Sequence, residues 1–74
     1  MHSALISIEV NGEKREVPGG LTVRELLDFL KLDADRVAVE LNLEIVRKAN
    51  WDAAAVEAGA KVEVVMFVGG GRRP

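Results

Sequence analysis

One α+β domain, a mixed sheet of four to five strands covered by one main helix, is the fold this sequence predicts. Three observations carry the prediction. Residues 5–10 (LISIEV) alternate apolar and polar ahead of an Asn11-Gly12 dipeptide, Thr22 opens an apolar stripe at helical spacing, and residues 61–68 alternate again. At 74 residues the chain has room for one core, because a domain this small buries only ~60% of its unfolded surface. Residues 1–68 are expected to form the domain and 69–74 a flexible glycine-rich tail. With no cysteine to make a disulfide, regular packing has to hold the fold.

Each element follows from local chemistry. Ile6, Ile8 and Val10 share one face of the first strand, with Leu5, Ser7 and Glu9 on the other. Asn11-Gly12 suits a type I′ turn, so Glu13 to Val17 pair back as a second strand, which Pro18-Gly19-Gly20 ends. Thr22 and Glu25 are spaced as a capping box, and Leu21 and Leu26 as a hydrophobic staple. Val23, Leu26, Leu27 and Leu30 then form a stripe that predicts a helix of about three turns, with Arg24, Asp28 and Lys31 on its wet side. The polar Asp33-Ala34-Asp35 stretch reads as a connection. Val37, Val39 and Leu41 mark a third strand, Asn42-Leu43-Glu44 a reversal, and Ile45 a brief fourth strand. Arg47 to Ala58 carries a weak pattern worth a helical turn or two, and Glu57 to Ala60 a turn. In the last strand, Lys61 to Val68, the residues Val62, Val64, Met66 and Val68 face one way, and Lys61, Glu63, Val65 and Phe67 the other. First and last strands in such an order can lie side by side as a parallel pair, the ubiquitin-like β-grasp arrangement.

Composition excludes most side-chain chemistry. Without cysteine, and with His2 the sole imidazole, zinc or iron–sulfur ligation, thiol catalysis and Ser-His triads are not expected. The chain reads as a non-enzyme with no bound cofactor. Its net charge of −2 and scattered basic residues argue against nucleic acid. Two of the ten basic residues are Arg72 and Arg73, which leaves eight against twelve acidic ones in residues 1–71, a net −4. No apolar run approaches the ~20 residues of a membrane span and the start lacks a signal-peptide core, so a cytoplasmic protein without membrane partners is expected.

The C-terminus is the most informative segment. A strongly β-forming strand runs into Gly69-Gly70-Gly71 and then Arg72-Arg73-Pro74. Three glycines remove every side chain, so this segment fits a channel too narrow for other residues. Fully extended it reaches ~10 Å, enough to present an acyl group to a partner's active site while the folded body docks outside.

The pieces VNGEKREVP, TVRELLDFL, VAVELNLEIV, Trp51 and VEVVMFVGGG, in this order and spacing, resemble the ThiS-type sulfur carrier proteins of thiamin biosynthesis over nearly the whole chain from Ile6 to Gly71. The resemblance implies that the carboxylate of Gly71 is the reactive group and that Gly69 and Gly70 are the tail threaded into partner active sites. It also implies the partners. A ThiF-like adenylyltransferase uses ATP and Mg to make the glycyl-adenylate, a persulfide donor supplies sulfur, and the thiocarboxylate serves a ThiG-like thiazole synthase. The sequence departs from the family where it continues past Gly71, which leaves that residue no free carboxylate. Either Arg72-Arg73-Pro74 is removed by a trimming peptidase or the chain as written is inactive, and removal is the expectation. Two rival readings are the small subunit of molybdopterin synthase, with the same fold, tail and chemistry, and a ubiquitin-like modifier or interaction domain.

A docking surface is expected beside the tail. If Val62, Val64 and Met66 pack under the helix, Val65 and Phe67 emerge on the opposite face next to Leu5 of a neighbouring strand. Glu40, Glu44 and Glu63 are candidates for an acidic face toward a basic partner. Trp51 is expected to close one end of the core, and Asp33 with Asp35 is too poor in oxygen ligands for a cation site. His2, near the terminus, reads as idle.

Overall fold

The computed structural model describes residues 4–67. They form one five-stranded sheet in the order β2-β1-β5-β3-β4, built from β1 (Leu5–Val10), β2 (Glu13–Pro18), β3 (Val37–Leu41), β4 (Glu44–Val46) and β5 (Lys61–Met66). The helix α1 (Val23–Phe29) is the only α-helix among the described residues. β1 and β5 pair parallel in the centre, and the other three pairings are antiparallel. This is the β-grasp order expected above. No helix among the described residues is long and apolar enough to cross a membrane.

Both hairpins turn through residues in the left-handed region. Asn11 (φ 51°) and Gly12 (φ 83°) make the first, as a type I′ turn requires. Asn42 (φ 53°) and Leu43 (φ 72°) make the second, where a branched side chain stands in glycine's place at a cost of about 1 kcal/mol.

The start of α1 shows how local signals and the tertiary fold cooperate. Thr22 Oγ1 accepts from the Glu25 N–H at 3.2 Å, and Glu25 Oε1 accepts from the Thr22 N–H at 3.0 Å, completing the capping box. The two remaining free donors of the first turn belong to Val23 and Arg24. They reach across the chain to the carbonyls of Ala54 (2.8 Å) and Trp51 (3.2 Å), so the segment around Trp51 finishes the cap that the sequence begins. At the other end the helix is shorter than its stripe predicts. It stops after seven residues because Lys31 turns to φ 62°. The Lys31 N–H then bonds Asp28 O (3.0 Å) and the Leu32 N–H bonds Leu27 O (2.9 Å), a Schellman ending that returns Leu32 to the core margin. Lys31 therefore lies beyond the helix instead of on its wet side.

The weakly patterned 47–58 region contains a 3-10 turn at Lys48–Asn50 and an isolated bridge between Thr22 and Ala55. Trp51 closes the core as expected. It is 2% exposed, its Nε1–H donates to Val46 O at 2.9 Å, and Arg24 and Lys48 lie 5.6 and 5.9 Å from its ring centroid. Ile8, Val10, Val17, Val37, Val39, Val62 and Val64 from the sheet meet Val23, Leu26 and Leu27 of α1 beneath it. Burying these side chains is what stabilises so small a domain.

Met66 departs from expectation. The alternation of the last strand puts it under the helix, but it is 51% exposed. The register explains this: β1 pairs with β5 only at Lys61 and Val62, so Met66 has a strand beside it on the β3 side alone. The strand ends at Met66 in place of Val68, and Val68, the glycine-rich tail and His2 lie outside the described residues.

Candidate functional site

The candidate site is the end of β5, where the chain leaves the sheet for the glycine segment. Along β5, Val62 and Val64 are buried against the core, while Lys61, Glu63, Val65 and Phe67 are exposed on the open face of the sheet. Val65 (57% exposed) and Phe67 (55% exposed) therefore stand where the sequence places them, beside each other on the uncovered face. Phe67 is tied down by its own main chain, its N–H donating to Arg36 O at 2.8 Å. From Phe67 to Gly71 is at most about 14 Å of chain.

Leu5 does not join them. It is exposed and on the open face, but β1 runs parallel to β5 with Val10 opposite Val62. The end of β1 thus meets the start of β5, so Leu5 lies at the other end of the sheet, opposite Pro18 and roughly 26 Å along the strand direction from Val65. On the same face Ala38 is paired with Val65, and one strand further out Ile45 (74% exposed) is level with Glu40 and Glu63, while Leu43 (78% exposed), at the turn, lies toward the Lys61 end of β5. Sequence reasoning passed over Ile45. The available signal was the apolar Ile45 beside the polar Glu44 in a short edge strand.

The three acidic candidates divide in the same way. Glu40 and Glu63 are directly opposite in the β3–β5 ladder on the open face, a like-charge pair that costs about 0.2–1 kcal/mol. Glu44 is opposite Leu41, on the other face. Among the described residues neither Glu40 nor Glu63 has an ion pair within 4.0 Å, although Lys61 lies two positions away on the same face as Glu63.

Asp33 and Asp35 are fully explained by structure. Asp33 Oδ1 accepts the Asp35 N–H at 3.0 Å and caps the 3-10 turn Ala34–Arg36. Asp35 takes a 2.7 Å hydrogen bond from Lys48 Nζ, and that bond, with the charge behind it, holds the Asp35 carboxyl below its ordinary value. No group of three or more potential metal ligands exists among the described residues. A concavity of about 310 Å³ lies on the first hairpin, lined by Ser7, Ile8, Glu9, Gly12, Lys14 and Gly59, away from the end of β5. The described end of β5 carries exposed apolar side chains on both faces, Met66 on one and Val65 and Phe67 on the other.

Comparisons with known proteins bear on the family and the fold. The model of the ThiS family matches residues 8–71. The crystal structure of a thiamine biosynthesis protein (ThiS) from Geobacter metallireducens is 40% identical, superposes with a TM-score of 0.79, and covers 89% of this chain and 100% of that one. A thiazole synthase from Paramagnetospirillum magneticum is 46% identical over 66 residues, covering 89% of this chain, and one from Magnetococcus marinus is 35% identical over 69 residues, covering 93%. The chain spans only 20% and 21% of the length of these two synthases.

Proposed function

We propose a function from the premise that the chain belongs to the ThiS family: it is a sulfur carrier of thiamin biosynthesis, a protein co-substrate whose reactive group is the carboxylate of Gly71. The observation that carries the reading is the sequence position of Gly69-Gly70-Gly71, separated only by Phe67 and Val68 from β5 of a β-grasp domain and within the stretch matched by the family. The likeness to a ThiS structure supports the thiamin branch over the molybdopterin one, as do the two thiazole synthases that contain a similar segment.

The chemistry follows from what a carboxylate lacks. Its oxygen is a poor leaving group, so an adenylyltransferase partner, using ATP and Mg, lets the Gly71 carboxylate attack the α-phosphorus and expels pyrophosphate. A persulfide sulfur then attacks the acyl carbon and AMP leaves. Cleavage of the S–S bond by a thiol frees the thiocarboxylate, which hands its sulfur to a thiazole synthase. The carrier supplies a side-chain-free terminus and a docking face, while the partners supply the electrostatics of the reaction. In this reading Val65 and Phe67, extended by Ile45, form the face that seats on the partner. Leu5 has no part in it.

Arg72-Arg73-Pro74 has to be removed first, because two arginines and a proline obstruct a glycine-sized channel and occupy the carboxylate of Gly71 in a peptide bond. Removal takes the net charge from −2 to −4. Intact mass of the protein from its native cells tests this step, and a chain still ending at Pro74 with no shorter species refutes it. The function itself is tested by incubating a chain ending at Gly71 with an adenylyltransferase, ATP and a persulfide donor. Replacement of one terminal oxygen by sulfur in the mass spectrum is the expected result. An unchanged mass, or isopeptide conjugates, would overturn it.

A further inference from the structure

The main-chain groups at the end of β5 are unevenly used. Odd-numbered residues of this strand turn toward β3: Asn42 donates to Lys61 O at 2.7 Å and Phe67 donates to Arg36 O at 2.8 Å. Even-numbered residues turn toward β1. Val62 O accepts from the Asn11 N–H at 2.9 Å, and the Val64 N–H and C=O are both taken by the Asn11 side chain, at 2.8 and 3.2 Å. The Asn11 amide thus stands in for one more residue of β1, which has by then turned off into β2.

Met66 has the same parity. Its N–H and C=O point to the side that β1 has vacated, and no hydrogen bond to them is formed there by any described residue. The outer edges of the sheet are blunted in the usual ways: β2 carries Glu13, Lys14, Arg15, Glu16 and Pro18, and β4 is three residues long. The edge at Met66 has neither protection. Its side chain and those of Val65 and Phe67 are apolar and more than half exposed, so both faces of the strand end are apolar.

We propose that this edge is a strand-addition site. The adenylyltransferase lays an extended segment alongside Met66, in line with β1 and abutting the Asn11-Gly12 turn, and its main chain pairs with the Met66 N–H and C=O as the glycine segment enters the active site. Main-chain pairing provides the attachment, and apolar side chains on alternate positions of the added strand meet Met66 on one face and Val65 and Phe67 on the other. The chain is thereby held in extended form three residues upstream of Gly69, where the segment that must thread begins. This rests on the proposed function for the identity of the partner, but the free edge is a property of the chain alone.

Two variants separate the main chain from the side chain. Met66→Pro deletes an N–H that nothing else in the described fold uses, at an edge position where proline is tolerated. Met66→Ala keeps the N–H and loses the thioether. All buried core residues lie between Ile8 and Val64, so a chain ending at Gly71 keeps the whole core. With that chain, ATP and an adenylyltransferase of the ThiF type, pyrophosphate exchange is expected to show KM raised about tenfold by Met66→Pro and less than about threefold by Met66→Ala. Equal KM values for the two variants overturn the proposal. In the free chain the Met66 amide is expected to exchange with solvent much faster than those of Val64 and Val65, and to gain protection when the partner binds. A Met66 amide as slow as Val65 in the free chain overturns the edge, whereas an unmodified chain ending at Gly71 that is never adenylated overturns the proposed function.

Discussion

Asn11 is where a single amide holds the functional strand, and replacing it tests how the fold presents the terminus. Its Oδ1 accepts the Val64 N–H at 2.8 Å, its Nδ2 donates to Val64 O at 3.2 Å, and its backbone sits at φ 51°. Asn11→Ala removes both side-chain bonds and leaves the Val64 groups partly covered without partners, a loss of about 1–3 kcal/mol. Alanine in the left-handed region adds about 1 kcal/mol, for a total of roughly 2–4 kcal/mol. A domain of 74 residues has only about 4–11 kcal/mol to lose, so the effect is large. Asn11→Gly removes the amide while accepting the positive φ, so it isolates the hydrogen-bond share of about 1–3 kcal/mol. Urea and thermal unfolding are the assays. Asn11→Ala is expected to lower Tm by about 10–25 °C, with Asn11→Gly between it and the parent. An Asn11→Gly variant within about 0.5 kcal/mol of the parent, with the Val64 amide still protected from exchange, would refute the reasoning.

Other perturbations probe the docking face and the surface charges. Phe67→Glu places a charge on an exposed apolar shoulder, so Tm should stay within a few degrees while activation by the adenylyltransferase falls by about tenfold or more; unchanged activation counts against the face. Leu43→Gly relieves φ 72° at a residue that is 78% exposed and should raise stability by up to about 1 kcal/mol in urea unfolding. Because Lys48 lowers the Asp35 carboxyl from 3.8, the contact helps the fold above that pH and its help fades as pH falls through the lower folded value. An NMR titration should place Asp35 below 3.8 and nearer to it in Lys48→Ala or at high salt.

Much of this fold is written in local patterns. Residues 5–10 alternate because one side of a strand is buried, Asn11-Gly12 turns because both residues accept positive φ, and Thr22 with Glu25 forms the capping box its spacing announces. Patterns failed where a non-local contact overrode them. The stripe through Leu30 reads as a longer helix, but Lys31, with no glycine to signal it, takes the left-handed ending that brings Leu32 back to the core. The 47–58 segment has little periodicity because its order comes from the Trp51 anchor and from carbonyls that cap α1, which are contacts made across the chain.

The site divides along the same line. The emergence of Val65 and Phe67 on one face was legible in the sequence alone, since it follows from residue type and a period of two. Which residues stand beside them was decided only by the tertiary structure. The alternation of a strand states which face a residue takes but carries no information on register or on which end of a neighbour it meets, so Leu5 fell at the wrong end while Ile45 arrived from the second hairpin. The same holds for the Asn11 amide on Val64, 53 residues away, and for the edge it leaves open at Met66. Hydrogen bonds between distant segments depend on how strands are placed, and that placement is set by packing the whole core at once.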